Sequence, residues 1–62
     1  MRLIRHDEAT GIYLLELQDE SAPDVGEIVW CMADGGRPSL PARGFVVERL
    51  DAFKFTIMDA SL

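Results

Sequence analysis

The chain of 62 residues is poor in the side chains that usually carry chemistry: one cysteine, Cys31, and one histidine, His6. A lone cysteine forms no internal disulfide, and one Cys with one His cannot complete a tetrahedral zinc site. No apolar run approaches the ~18 residues of a membrane span. Between its arginines, the Met1 to His6 stretch has only Leu3 and Ile4 as consecutive aliphatics, too few for a secretory signal. Gly35-Gly36 is not followed by the Lys and helix start of a phosphate-binding loop. Asp7 to Gly11 lacks the alternating oxygen ligands of a calcium loop. These absences predict no metal, no cofactor, no membrane insertion and a soluble chain in a reducing, cytoplasmic compartment.

Bases are also scarce, and their placement is uneven. All six lie at Arg2 and Arg5, then at Arg37, Arg43, Arg49 and Lys54. The stretch between, residues 7 to 36, holds Asp7, Glu8, Glu16, Asp19, Glu20, Asp24, Glu27 and Asp34 with no Lys or Arg, in a chain whose net charge is -5. Such a stretch repels nucleic acid and acidic membranes and attracts basic protein surfaces.

What is present is the composition of a folded domain, 48% hydrophobic and 27% charged, and the length suits a single globular domain over residues 1–62. A chain this short buries only about 60% of its unfolded surface, so its stability is modest or helped by self-association.

Turn signals at Thr10-Gly11, Ser21 to Gly26, Asp34 to Pro41 and Asp51 divide the chain into five short segments. Residues 2 to 6 read as an edge strand. In residues 11 to 18, Tyr13, Leu15 and Leu17 alternate with Ile12, Leu14 and Glu16, the period of a strand with one buried face. The run Ile28-Val29-Trp30-Cys31-Met32 reads as a central strand covered on both sides. Phe53, Phe55 and Ile57 alternate with Lys54, Thr56 and Met58 in a half-buried strand. Residues 45 to 50 fit either a strand paired to that one or an amphipathic helix; Gly44 and the adjacent Val46 and Val47 disfavour the helix by roughly 1 kcal/mol. The expected fold class is all-β, a five-stranded antiparallel barrel of SH3-like or OB-like kind. The alternative is α+β, an antiparallel sheet with one helix at about 42–53.

Nucleophilic catalysis needs a thiol or hydroxyl beside a base. Here Cys31 sits inside an apolar strand and His6 lies near a terminus, so no enzyme activity and no catalytic residue is expected. The acids sit in turns and on polar faces, where none is marked out for a raised pKa.

Three local patterns resemble known families. Arg37-Pro38-Ser39-Leu40-Pro41-Ala42-Arg43 is similar to the Pro-x-x-Pro-x-Arg ligands read by SH3 domains. Gly26-Glu27-Ile28-Val29-Trp30 followed by Pro38, Pro41 and Arg43 resembles the opening of a PWWP or Tudor-type barrel, which implies an SH3-like fold. Ser39 and Leu40 replace two of that family's aromatics, so methyl-lysine binding is not implied. The same strand and loop are similar to part of the MazF-type toxin barrel.

The leading functional expectation is a non-catalytic inhibitor whose acidic face, Asp7 to Asp34, docks on a basic and nucleic-acid-binding surface of a partner protein. In size, acidity and lack of catalytic groups the profile resembles small phage-encoded inhibitors, anti-CRISPR proteins and DNA mimics. An alternative is an SH3-like adaptor or ligand-binding module using Trp30, Arg37, Pro38, Pro41 and Arg43. A third is a structural subunit of an oligomeric or phage assembly. Ile12 and Leu14, opposite Tyr13, Leu15 and Leu17, supply more apolar surface than one small barrel needs, which predicts a homodimer.

Overall fold

The computed structural model describes residues 1–31 and 40–60. It is all-β: β1 (Arg2–Asp7), β2 (Ile12–Glu16), β3 (Ile28–Trp30), β4 (Arg43–Arg49) and β5 (Lys54–Asp59). They form one antiparallel sheet in the order β1-β2-β5-β4-β3. Residues 43–49 are therefore extended, and the helix alternative at 42–53 does not form. The reason lies in side chains as well as propensity: strand geometry turns Gly44 and Val46 inward toward Ile57 of β5. A bulge between Val46 and Glu48 leaves Val47 as the extra residue, so Glu48 pairs with Thr56 on the opposite face.

Local chemistry makes the two hairpins. Between β1 and β2, the Gly11 N–H donates to the Asp7 carbonyl at 2.8 Å, and the Ala9 N–H donates to the Asp7 carboxylate at 3.0 Å. Gly11 takes φ +76, the left-handed conformation such a turn requires and glycine supplies without steric cost. Between β4 and β5, one Asp51 carboxylate oxygen accepts the N–H groups of Phe53 at 2.7 Å and Lys54 at 2.8 Å. That is an aspartate turn, and it reverses the chain into β5.

From β2 to β3 the chain must pass β5 and β4, and residues 17–27 make this crossover. It is tied down by Leu17 N–H to the Phe53 carbonyl, Ala22 N–H to the Ala52 carbonyl, and reciprocal bonds of Gly26 and Glu27 with Val46. Ala22 thereby enters the core beside Leu15, Cys31, Val46, Phe55 and Ile57. Leu15, Val46, Phe55 and Ile57 are 0% exposed, and each such burial stabilises by about 1.5–3 kcal/mol. Leu3 of β1 and Val29 of β3 pack on this same cluster from the two edges. The sheet thus curls around its inner face, as twisted sheets do when a single core must be covered. Among the described residues β1 and β3 form no ladder with each other, so the curl is open at those edges.

β3 departs from the expected central strand. It is an edge strand of three residues, with Val29 turned inward and Ile28 and Trp30 49% and 64% exposed. An unbroken apolar run reads the same whether one or both of its faces are covered, which is why periodicity misplaced it.

Candidate functional site

The side chains that point away from the core form the outer face of the sheet. Cross-strand pairing arranges them in transverse rows, with neighbouring Cβ atoms about 5 Å apart. One row runs Arg2, Glu16, Lys54; the next Arg5, Leu14, Thr56, Glu48; the third Asp7, Ile12, Met58, Phe45, Ile28. The third row is apolar across four strands, and Phe45 and Met58 are 44% and 42% exposed. Arg5, Asp7, Ile12, Leu14, Glu48 and Thr56, with Thr10 and Leu50 at the rims, line an open groove of about 360 Å³. Its floor is aliphatic and its rims carry charges of both signs.

At the β3 end of this face Trp30 pairs with Arg43, whose guanidinium lies 5.4 Å from the centre of the indole ring. Trp30 shares this face with Ile28 and Phe45, and the cation–π contact leaves the indole open to solvent. Of the loop residues expected to join Trp30, Pro41 is half-buried and Arg43 belongs to β4; Arg37 and Pro38 lie outside the described residues, as does Ser39.

The eight acids of the middle stretch are distributed over several elements. Asp7 and Glu8 sit at the β1–β2 turn, and Glu16 is on the outer face, where Arg2 binds it at 2.7 Å. Asp19, Glu20, Asp24 and Glu27 are exposed on the crossover; Asp34 lies outside the described residues. On the crossover, Asp24 faces Arg49 at 3.5 Å, and the Glu27 carboxylate accepts the Asp24 N–H at 2.7 Å. The crossover is therefore an acidic segment on the core side of the sheet. The outer face carries Arg2, Arg5, Arg43 and Lys54 against Asp7, Glu16 and Glu48.

The only histidine and the only cysteine stand at opposite edges of the sheet. His6 of β1 stacks on Tyr13 with parallel rings 4.0 Å apart. Cys31, just after β3, is buried and free, and burial pushes its thiol above the ordinary value. Among the described residues, no group of three or more His, Cys, Asp or Glu could hold a metal ion. No helix among them is long and apolar enough to cross a membrane.

Sequence reasoning singled out Trp30, Arg43, Ile12 and Leu14 but not Phe45, Met58 or Ile28 as surface groups. Alternation in β5 was the available signal for Met58, since it shares a face with Lys54 and Thr56. Phe45 was hidden by the bulge, which breaks the alternation just after it. Comparison with protein-family models, with curated proteins and with solved structures finds no match.

Proposed function

We propose that this protein is a non-catalytic, adaptor-like binding module whose contact surface is the Trp30 end of the outer sheet face. The observation that carries the reading is the exposure of Trp30, 64%, beside exposed Ile28 and Phe45 and under the Arg43 guanidinium. Tryptophan and arginine are the residue types most enriched among those that dominate binding energy, and a large aromatic ring in water is costly unless something covers it. Together Ile28, Trp30 and Phe45 expose on the order of 300 Å² of apolar surface, the scale on which exposed patches mark interaction sites. Arg43 favours a partner that brings a carboxylate next to an apolar anchor.

A second reading keeps the inhibitor. Asp19, Glu20, Asp24 and Glu27 share the crossover without a Lys or Arg among them, and Asp24 is the one that faces an arginine within salt-bridge distance. This segment suits a basic protein surface, with carboxylates in the place of phosphates.

One capture experiment separates the two. The tagged protein, Trp30→Ala and the triple variant Asp19→Asn, Glu20→Gln, Asp24→Asn are compared for retained proteins at low and moderate salt. Loss of a retained protein with Trp30→Ala alone supports the module. Loss with the triple variant alone, steepened by salt, supports the inhibitor. Retention that neither change affects refutes both.

A further inference from the structure

We infer that the outer sheet face, over β1, β2, β5 and β4, is an interface for a second copy of this chain, and that the two copies pack face to face about a two-fold axis parallel to the strands between β2 and β5. The basis is the order of side chains within the rows. Such an axis lays each row against the same row reversed, so β1 faces β4 and β2 faces β5 of the second copy.

Reversal turns the observed sequence of charges into complementary pairs. Arg5 and Glu48 occupy the two ends of one row, Arg5-Leu14-Thr56-Glu48, on opposite rims of the groove. Neither has a salt bridge among the described residues. Laid against its own reverse, this row puts Arg5 opposite Glu48 of the second copy, and the symmetry makes the contact twice. In the next row Glu16 and Lys54 are cross-strand neighbours on β2 and β5, so each comes to face the other's counterpart, with Arg2 already holding Glu16 at 2.7 Å. In the third row Ile12 meets Met58, and Asp7 at the β1 end comes over the rim of Phe45. Every like-charge encounter in the Arg5 and Glu16 rows is avoided, which suppresses other registers.

The area agrees with a weak dimer. Phe45, Leu50 and Met58 are 44%, 48% and 42% exposed, and Ile12 and Leu14 are half-buried beside them. They offer roughly 300 Å² of apolar surface per copy, against about 450–500 Å² in a standard half-interface of ~800 Å². An apolar patch below the standard size points to weak association, with a Kd expected on the order of 10 µM to 1 mM. β3 extends past the second copy's β1 in this arrangement, so Ile28 and Trp30 stay free while Phe45 is common to both surfaces, and the inference does not depend on Trp30 binding a partner.

Sedimentation velocity over roughly 10 µM to 1 mM tests it. The wild type is expected to shift from monomer to dimer within that range. Arg5→Glu and Glu48→Arg are each expected to weaken dimerisation at least ~10-fold, because each creates two like-charge contacts per dimer. An equimolar mixture of the two variants is expected to restore it. In the mixed dimer the introduced glutamate faces the introduced arginine at one contact, and the native Glu48 faces the native Arg5 at the other. A repulsion within one chain cannot be relieved by mixing. A wild type that stays monomeric at the highest concentration overturns the inference. So does a dimer indifferent to both substitutions, or a mixture no better associated than its components. Far-UV circular dichroism identical to wild type confirms that each variant is folded, and Glu16→Lys with Lys54→Glu provides a second pair for the same mixing test should either fail.

Discussion

Gly44→Ala is expected to destabilise the fold although it adds one methyl group to a strand, where alanine is ordinarily the better residue. Gly44 is buried in β4 opposite Val29 and Asp59. A Cβ there would press on Ile57 Cδ1 and lie 3.0 Å from its Cβ and 3.1 Å from its Cγ1. The Cδ1 end can rotate, but only by leaving its packed position in a side chain that is 0% exposed. The Ile57 Cβ moves only with the β5 backbone. Overpacking of this kind costs about 1–3 kcal/mol, while the reduced freedom of the unfolded chain returns ~0.5–1 kcal/mol. The net expectation is a loss of about 1–2 kcal/mol, or roughly 5–15 °C in Tm for a domain of this size. Urea titration followed by far-UV circular dichroism at low protein concentration measures it through the midpoint at constant slope. Ile57→Val removes Cδ1 and by itself costs about 0.5–1.5 kcal/mol. In the double variant the alanine methyl occupies the vacated space, so the combined loss should fall short of the sum by ~0.5 kcal/mol or more. A neutral or stabilising Gly44→Ala, or strict additivity with Ile57→Val, refutes the close approach of β4 to β5 as the reason for glycine.

Phe55→Ala should cost about 3–5 kcal/mol, comparable to the whole stability of a small domain, and give a collapsed amide spectrum in one-dimensional NMR; retained dispersion would contradict the placement of Phe55 at the core's centre. Asp51→Ala should lower stability more than Asp51→Asn, which keeps an acceptor for the Phe53 and Lys54 N–H groups. Those two bonds hold the Asp51 carboxyl below its ordinary value, so its contribution is complete above the unfolded-state pKa and disappears as pH falls through the folded one. Wild type and Asp51→Asn should therefore converge in stability on acidification below about pH 4, and a gap that widens instead would reverse the sign. Cys31 should react with a disulfide reagent slowly in buffer at neutral pH and rapidly in denaturant, because burial both shields the thiol and raises its pKa; equal rates would place it at the surface.

Much of the fold was legible because strand alternation is a local signal. Tyr13, Leu15 and Leu17 share one face of the β2 segment, Phe55 and Ile57 share one face of β5, and the turns at Gly11 and Asp51 follow from residues that make their own backbone bonds. The candidate surface was legible in part: Ile12 and Leu14 stood out as surplus, and Trp30 as a contact group. Met58 was readable from its place beside Lys54 and Thr56 in the β5 alternation, whereas Phe45 became a surface residue only when β4 was paired to β5 with the bulge at Val47. The acids formed one block along the chain, yet folding sends Glu16 to the outer face and Asp24 to the core side, since a strand and a crossover separate them.

By itself, then, the order of residues determined the β1, β2 and β5 segments, the inward faces of β2 and β5 at Leu15, Phe55 and Ile57, and both hairpin turns, because each depends on neighbours within a few positions. The tertiary structure alone decided that β3 is an edge strand, that β2 pairs with β5, and that Arg5 and Glu48 end one row. These are pairings between distant segments, selected by burial of Leu15, Val46, Phe55 and Ile57 in a single core, and no local period encodes which strand lies beside which.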